Sequence, residues 1–395
     1  MAAALRMRIV YHHRTRSTDA QRIHILEIIG AFQELGHQVE VVSLIHPETA
    51  REDARRDAGE AAWKRLVRRI PWGYEAVQIA YNLVGIPMLA GKLLSRRTDF
   101  IYERYSLFNC TGVVAARLFR IPIILEVNSP FALEQARDGD IRSRRFAEWT
   151  ERIICNAATG VIVVSTPLKR ILVEERIRPE IITVMPNGVN CERFSRNGGS
   201  AALRARLKLD RKTVIGFVGW FRNWHGLDLL LEAFHQAGLS RQGGSLLLIG
   251  DGPMMPALQE YVATHNLQDS VVFTGPLPHE QVPAYLDLVD IAVQPAANEY
   301  CCPMKVLEYM GMAKAIVAPR QENIEEIVRD GDQAVLFTRG DVHSMSSALS
   351  RLLADPEAAR AMGRRALAAI TAREYLWTAN ARKVIQLVNG VAGRQ

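Results

Sequence analysis

Residues 291–318 read IAVQPAANEYCCPMKVLEYMGMAKAIVA and carry the pattern that decides the fold. Two short apolar runs, Ile291 to Val293 and Ala315 to Ala318, enclose a loop and a stretch with helical periodicity. Pro303 suits the first helical position, where its missing N–H costs nothing, and Gly311 suits the helix exit. Strand, helix and strand in this order predict a crossover unit of a parallel sheet, and therefore an α/β fold.

The same alternation of short apolar runs and longer amphipathic stretches occurs along the whole chain, in two series. The first series is Arg8–Tyr11, Val39–Leu44, Phe100–Tyr102, Ile121–Val127, Gly160–Val164 and Ile181–Met185. The second is Val214–Val218, Leu246–Ile249, Val271–Phe273, Ile291–Val293, Ala315–Ala318 and Ala334–Phe337. The polar stretch 195–212 between them has the composition of a linker. We predict two doubly wound, Rossmann-like domains, residues 1–197 and 198–374, with ligands at the carboxyl ends of their strands and in the cleft between the domains.

The composition of the chain limits the kinds of molecule that we expect it to bind. The chain of 395 residues is 48% apolar and 23% charged, as expected of a folded globular protein, and its net charge of +7 favours anionic partners. Zinc-finger, ribonucleoprotein and basic-zipper patterns are missing from the sequence, so we expect phosphorylated molecules or anionic lipid rather than nucleic acid. The five cysteines lack zinc-site spacing, and their odd number is typical of a reducing compartment.

Membrane insertion is not predicted. The first residues turn charged before any apolar run long enough for a signal peptide, and no uninterrupted run of about 18 apolar residues occurs. Tyr74 to Leu94 comes nearest, but polar residues interrupt it. We therefore expect a soluble, cytoplasmic protein.

The predicted helix start at Cys302 to Lys305 has the chemistry of a phosphate site. Unpaired amides and the helix dipole attract anions there, and Lys305 adds a full charge. Glu308 can accept hydrogen bonds from two neighbouring ribose hydroxyls. Together these features favour a nucleotide-diphosphate site. The alternative is a capped surface helix with Leu307 in the core and Glu308 in solvent.

Residues 303–319, PMKVLEYMGMAKAIVAP, resemble the C-terminal signature of family 4 retaining glycosyltransferases. Four further segments are similar to the same family, and the resemblance covers most of residues 7–390. These segments are Met185–Val189, Val218–Gly219 with Trp224–Phe234, Ile249–Pro253, and Phe273–Gly275.

The resemblance implies the GT-B fold, with the donor in the C-terminal domain, the acceptor in the N-terminal domain and residues 375–395 as a helix returning to the first domain. It also implies transfer of a sugar from a nucleotide-diphosphate donor with retention, without a cofactor. No metal is expected, since no acidic D-x-D cluster precedes the phosphate site. The acceptor would be a glycan or a lipid-linked molecule in cell-surface polysaccharide synthesis. Alternatives are a nucleotide-sugar epimerase of the same build and a non-enzymatic sugar-nucleotide binding protein.

The resemblance also assigns residues of the donor site. The catalytic set is Asn128, which follows a strand and would contact the donor sugar, with Arg222 and Lys305, which would neutralise the diphosphate. The predicted substrate-binding set is Thr18, Asp19, His225, Gly250, Asp251, Gly252, Thr274, Gly275, Glu299, Tyr300, Cys302, Pro303, Val306, Leu307 and Glu308. Thr18 or Asp19 alternatively caps a helix from Ala20 to Leu35.

The chain departs from the family pattern at two places. Trp220 and His225 stand where the family commonly has arginine and lysine, and Arg222 is the expected substitute, since a guanidinium grips phosphate bidentately. Tyr300 stands where many relatives have a glutamate that touches the sugar, and Glu299 lies one place earlier. Which of these two contacts the sugar is left open.

Two further sets complete the prediction. The acceptor side is expected to include His12, His13, Arg14 and Arg104. Residues 63–72, WKRLVRRIPW, mix four cations with two tryptophans, as in a helix that lies on anionic lipid. The alternative is an ordinary basic helix with one buried face. The first reading predicts a peripheral protein at the cytoplasmic face of a membrane.

Overall fold

A computed structural model of the chain describes residues 6–15, 20–44, 70, 72–194 and 201–392. It divides into two compact units, Met1–Pro186 with Trp377–Gln395 and Asn187–Leu376. Each unit has its own parallel sheet of six strands covered by helices, so the predicted α/β class with two Rossmann-like domains is confirmed.

The units are divided at Pro186 and Leu376, whereas the sequence suggested limits at 197 and 374. The segment after Pro186 is tied to the second unit by its own contacts. Asn187 donates from Nδ2 to the carbonyl oxygen of Cys302 at 2.8 Å. Val189 forms a parallel bridge with Leu376. These long-range hydrogen bonds have no local signal in the sequence.

The sheet of the first unit has the strand order β2-β1-β3-β4-β5-β6. Its strands are β1 Arg8–His12, β2 Gln38–Val42, β3 Phe100–Arg104, β4 Ile123–Val127, β5 Gly160–Val163 and β6 Ile182–Val184. Its helices include α1 Ala20–Glu34, α2 Gly73–Ser95, α3 Thr111–Phe119, α4 Phe131–Arg137, α5 Arg144–Ala157 and α6 Thr166–Glu174. The chain adds β2 on one side of β1 and β3 on the other, so the strand order reverses there. Such a reversal marks the ligand-binding position of a parallel sheet.

The sheet of the second unit has the order β12-β11-β10-β7-β8-β9, the Rossmann order. Its strands are β7 Thr213–Val218, β8 Gly244–Ile249, β9 Val271–Phe273, β10 Ile291–Val293, β11 Ala315–Pro319 and β12 Ala334–Phe337. Its helices include α7 Ala201–Arg206, α8 Leu227–Gln236, α9 Met255–Thr264, α10 Val282–Asp287, α11 Met304–Gly311, α12 Glu322–Glu325, α13 Val342–Ala354 and α14 Pro356–Ala372. Buried Phe217, Phe221 and Phe234 lie in its core.

The last helix, α15, spans Trp377–Ala392 and belongs to the first unit. The ring of Trp377 packs edge-on against His24 of α1, with 4.7 Å between the ring centroids. Asn380 donates from Nδ2 to the carbonyl oxygen of Pro186 at 2.8 Å. The chain therefore returns to its first unit after completing the second.

Helix α2 buries two polar residues and exposes several apolar ones. Glu75 and Asn82 are buried, and Asn82 donates from Nδ2 to the carbonyl oxygen of Phe108 at 2.9 Å. Leu83 and Leu94 are 79% and 76% exposed. Burial of leucine normally stabilises a fold by about 1.5–3 kcal/mol, so an exposed apolar face of this kind indicates a contact surface.

Of the polar residues that argued against a membrane span, Glu75 and Asn82 lie on the packed side of α2, whereas Lys92 is exposed. By length and composition the helix is apolar enough to cross a membrane, with 22% of its most apolar window buried inside the unit. A core helix can pass the same test. The finding rests on length and composition and places no membrane.

Two carboxyl groups in the first unit predict a stability change with pH. Burial raises the pKa of Glu151 well above its ordinary value and that of Glu175 from 4.5 to about 7. A raised pKa means that the folded protein retains a proton that the unfolded chain loses. Stability from this pair is therefore full below about pH 4.5 and is lost as the pH rises through about 7.

We expect Glu175→Gln to remove the part of this pH-dependent loss of stability that comes from Glu175. For a half-buried group, that part of the free energy of unfolding is on the order of 1–3 kcal/mol. Urea unfolding at pH 5, 6, 7 and 8 measures it, with Glu174→Gln on the exposed neighbour as the control. Parallel pH profiles for wild type and Glu175→Gln would contradict the assignment.

Candidate functional site

The carboxyl edge of the second sheet gathers most of the predicted donor residues. Strand β7 lies between β8 and β10, and the strand order reverses at the β7–β10 pair. The loops after these two strands therefore open at the same edge. This is the position at which doubly wound sheets bind ligands.

Three glycines let the loops after β7 and β8 approach closely. A Cβ on Gly250 would lie 2.1 Å from the carbonyl oxygen of Gly219, and one on Gly252 would lie 2.4 Å from the amide nitrogen of Phe221. All three glycines have positive φ angles, of 145°, 128° and 154° in chain order. Asp251 holds the turn by accepting from Gly252 N at 2.7 Å through Oδ1.

Thr274 joins the β9 loop to this edge. Its Oγ1 accepts from Gly250 N at 3.1 Å and donates to the carbonyl oxygen of Gly275 at 2.8 Å. Gly250 and Gly275 also form an antiparallel bridge. These predicted substrate-binding residues thus come together, although their contact with a substrate stays a prediction.

Helix α11 starts one residue later than predicted. Met304 is its first residue, and Pro303 is the N-cap with an extended backbone. Val306 N donates to Pro303 O at 3.0 Å, whereas the amides of Met304 and Lys305 precede the first helical hydrogen bond. Two amides at this end therefore remain suited to an anion.

Tyr309 fixes α11 against the sheet. Its hydroxyl donates to Val293 O at 3.3 Å and accepts from Val218 N at 3.2 Å, so it connects the helix to the ends of β10 and β7. Sequence reasoning missed this residue. The available signal was a tyrosine directly after Glu308 in an otherwise apolar stretch.

Two predicted substrate-binding residues of this helix have buried side chains. Val306 and Leu307 are fully buried in the second unit, and the Val306 amide already has its acceptor. Contact of either residue with a substrate stays a prediction. The helix exit is also different: Gly311 is helical, and the left-handed residue is Ala313, with φ 51°.

Cys302 is buried in the loop before α11. Its Sγ accepts from Asn187 N at 3.3 Å, and burial raises the pKa of its thiol to about 12. The thiol is therefore neutral and structural. Any contact of Cys302 with a phosphate would have to come from its backbone.

The cations of the site lie around one imidazole. Lys305 Nζ is 3.1 Å from His225 Nε2 and 4.4 Å from the centroid of the Phe217 ring. The guanidinium of Arg222 stacks over the exposed Trp224 ring at 4.8 Å. Both cations help to lower the pKa of His225, which shows that they are close to the same ring.

Glu299 and Tyr300 differ in their surroundings. Glu299 is exposed and forms an ion pair with Arg339, while Tyr300 is buried. The ion pair points Glu299 along the β12 loop. The question of which residue contacts the sugar stays open.

In the first unit, two residues predicted to face the acceptor are buried in charged networks. His12 bonds through Nδ1 to Glu103 and lies 3.0 Å from the Tyr81 hydroxyl through Nε2. Arg104 donates to Glu126 Oε1 at 2.6 Å. These contacts fix both side chains at the sheet edge, and contact of either with an acceptor stays a prediction.

Glu126 is the centre of the second network. Burial alone raises its pKa, but the positive charges of His24 and Arg104, with the hydroxyl of Tyr102, lower the pKa overall. Asn128 donates from Nδ2 to the same carboxylate. The carboxylate orients this amide at the end of β4, and the contact of Asn128 with a donor sugar stays a prediction.

Three predicted regions have other outcomes. His13 is buried, its Nδ1 accepts from Thr15 N at 3.2 Å, and its contact with an acceptor stays a prediction. Arg14 is half-buried over the Tyr81 ring at 4.0 Å. Thr18, Asp19, residues 63–69 and Pro71 lie outside the described residues.

No group of three or more His, Cys, Asp or Glu side chains is close enough to hold a metal in the described part of the chain. The exposed Trp220 and Trp224 were not among the predicted contacts. The sequence signal that could have drawn attention to these side chains was the presence of two tryptophans in one short polar loop.

Two parallel doubly wound sheets, the second with cations and helix-start amides at its carboxyl edge, define a two-domain α/β protein. Residues 21–193 match the family described as Glycosyltransferase Family 4, and residues 212–355 match Glycosyl transferases group 1. The chain belongs to this family of GT-B glycosyltransferases, as the sequence resemblance predicted.

Known relatives are similar over part of their length. The chain is 26% identical to alpha-D-kanosaminyltransferase of Streptomyces kanamyceticus over 66% of this chain and 68% of that protein. It is 27% identical to a GDP-mannose-dependent phosphatidylinositol monomannoside mannosyltransferase of Mycolicibacterium smegmatis, over 45% of this chain and 49% of that protein. The alignments thus span from about half to two thirds of these relatives.

A solved structure from Anabaena, HepE in complex with UDP, has the same fold. It superposes with a TM-score of 0.74 over 97% of this chain and 100% of that chain, at 16% identity. Similarity at this identity establishes the GT-B fold alone.

Proposed function

We propose that the protein is a retaining glycosyltransferase that moves a sugar from a nucleotide-diphosphate donor to a glycan or lipid-linked acceptor in cell-surface polysaccharide synthesis. The observation that carries the proposal is the ammonium of Lys305 beside the end of β7, with Arg222 in the loop that follows β7 and Glu308 one turn along the helix of Lys305. The UDP in the Anabaena structure and the GDP-mannose dependence of the mycobacterial relative support a nucleotide donor.

In this proposal, charge develops on the departing diphosphate as the bond to the sugar breaks. Lys305, Arg222 and the two free amides of α11 neutralise it, and groups fixed before the reaction do so without reorganisation. Glu308 holds the ribose hydroxyls. Transfer needs no cofactor and no metal, so EDTA should leave activity unchanged.

A direct assay tests the function. The full chain is incubated with a panel of nucleotide sugars and a membrane lipid extract, and sugar incorporated into lipid or glycan is measured. The anomeric configuration of the product tests retention. Isomerised nucleotide sugar without transfer would favour an epimerase, and binding with neither reaction would favour a binding protein.

The exposed face of α2 supports a lipid-linked acceptor at the cytoplasmic face of an anionic membrane. Leu83, Val84 and Leu94 offer apolar side chains for a headgroup boundary, and Arg96 and Arg97 follow them as exposed cations. The cations of residues 63–72 precede the helix in sequence. An anionic bilayer matches an apolar face with cations at both ends, whereas a soluble apolar partner would not need them.

We expect Leu83→Ser with Leu94→Ser to weaken binding to anionic vesicles at least tenfold, since each leucine gains about 1.5–3 kcal/mol on burial. Thermal stability should be unchanged, because both side chains are exposed in the free protein. Leu367→Ser, on the exposed face of α14, is the matched control. Co-sedimentation equal to wild type would exclude this face.

The basic segment adds the part of the binding that depends on salt. Replacing Arg65, Arg68 and Arg69 by glutamine should release the protein from anionic vesicles, since each cation gains roughly 1 kcal/mol near such a surface. Donor binding in solution should persist. The attraction decays within about 8 Å at physiological ionic strength, so added salt should imitate the mutation.

A further inference from the structure

His225 and Lys305 form a hydrogen-bonded pair that phosphate binding alone does not explain. Lys305 Nζ lies 3.1 Å from His225 Nε2, and His225 Nδ1 lies 2.6 Å from the carbonyl oxygen of Trp220. A carbonyl only accepts hydrogen bonds, and an ammonium only donates them. His225 therefore carries its hydrogen on Nδ1 and accepts from Lys305 through Nε2.

The imidazole of His225 is neutral. Burial, followed by the positive charge of Lys305, lowers its pKa to about 3, against the smaller effect of the Trp220 carbonyl. At this position, where the family commonly has lysine, the chain thus supplies no charge. It supplies a hydrogen-bond acceptor for a cation that comes from α11.

The backbone holds this acceptor in place without a ligand. His225 N donates to Arg222 O at 3.0 Å, and His225 O accepts from Ala296 N at 3.1 Å. Gly226 turns with φ 65°, and a Cβ there would lie 3.0 Å from the Ala296 Cβ. The loop after β7 is therefore clamped to the loop after β10.

The surroundings of Lys305 make its proton easy to lose. A Cβ on Gly219 would lie 3.2 Å from Nζ, so the strand end leaves room only for the ammonium. Burial lowers the pKa of Lys305 to about 8, and the negative charge of Glu308 offsets part of that effect. The positive charge of Arg222 also acts on His225.

We propose that His225 is a positioning residue: its neutral ring aims the ammonium of Lys305 at the donor diphosphate and helps to keep it protonated. The inference rests on the proposed function, because it requires a diphosphate at Lys305. An arriving anion favours the charged form of Lys305. Donor binding above the pKa of about 8 should therefore take up a proton.

The test is the pH dependence of nucleoside diphosphate binding, measured by calorimetry on the full chain. UDP, GDP, ADP and dTDP are compared at pH 7, and the tightest binder is titrated from pH 6.5 to 9.5. Wild-type affinity should be constant up to the pKa of Lys305 and then fall by up to about tenfold per pH unit.

His225→Phe keeps a ring but removes the acceptor. We expect about five- to tenfold weaker binding at pH 7 and an inflection at lower pH, because the ammonium loses a stabilising hydrogen bond. His225→Gln, whose carbonyl oxygen can accept, should restore both toward wild type. His343→Gln, on the exposed side of α13, is the control and should leave the curve unchanged.

Three outcomes overturn the inference. The first is a His225→Phe variant with the wild-type pH curve. The second is a loss of affinity that is equal at every pH, and the third is a His225→Gln variant no better than His225→Phe. Each would show that the hydrogen-bond acceptor at position 225 does not position Lys305. If the wild type binds none of the four diphosphates, the proposed function itself fails.

A measurement on the wild type avoids any folding defect of the variants. Nitrogen NMR of labelled histidine should show His225 with its hydrogen on Nδ1 and no protonation between pH 5 and 9. A hydrogen on Nε2 would overturn the inference directly.

Discussion

Glu308→Ala is expected to weaken nucleoside diphosphate binding by about 1–3 kcal/mol, which is roughly 5- to 150-fold. The carboxylate is the group on α11 that can accept from two ribose hydroxyls together, and alanine leaves both without that partner. Its removal also takes away a charge that raises the pKa of Lys305. The loss should therefore grow above pH 7.

Calorimetric titration of wild type and mutant measures this effect. Glu308→Gln, which keeps one carbonyl oxygen, should fall between the two. Glu260→Ala, at an exposed position of α9 in the same unit, controls for loss of a glutamate elsewhere. Equal affinities for wild type and Glu308→Ala would remove the ribose assignment.

Replacing either Arg222 by glutamine or Lys305 by methionine is expected to lower kcat on the order of 10²- to 10³-fold, as loss of a transition-state charge partner does. Arg222 precedes His225 by three residues in the loop after β7, and Lys305 Nζ lies 3.1 Å from the same histidine, so we expect both cations to act on one diphosphate. The double mutant should lose less than the sum of the two single losses.

Steady-state kinetics of the four proteins form a double-mutant cycle. The decrease in kcat should be at least as large as the decrease in donor affinity, because the charge on the diphosphate is greatest in the transition state. Arg351→Gln, on an exposed position of α13, is the matched control. Fully additive losses would place at least one of the two cations away from the diphosphate.

The strand positions could be predicted from the sequence because each strand is marked by a local run of apolar residues. All twelve apolar runs became strands, with ends shifted by a few residues, since a parallel strand buried on both faces needs a continuous apolar run. The segment holding Lys305 and Glu308 was equally readable, because both lie within eight residues of helix.

Side-chain surroundings were not readable in the same way. His12 and Arg104 were predicted to face the acceptor because they follow strands, yet Glu103 and Glu126 on neighbouring strands pair with them. Helix α2 shows the same limit. Glu75 and Asn82 looked like interruptions of a span, and the fold buries both of them.

The sequence by itself determined the class of the protein: two series of strand and helix, an α11 segment suited to a nucleotide and a family pattern with histidine where lysine is common. Only the tertiary structure decided what that histidine does. His225 and Lys305 are 80 positions apart and meet because β10 pairs with β7. Strand order results from packing over the whole unit, and local periodicity carries no record of it.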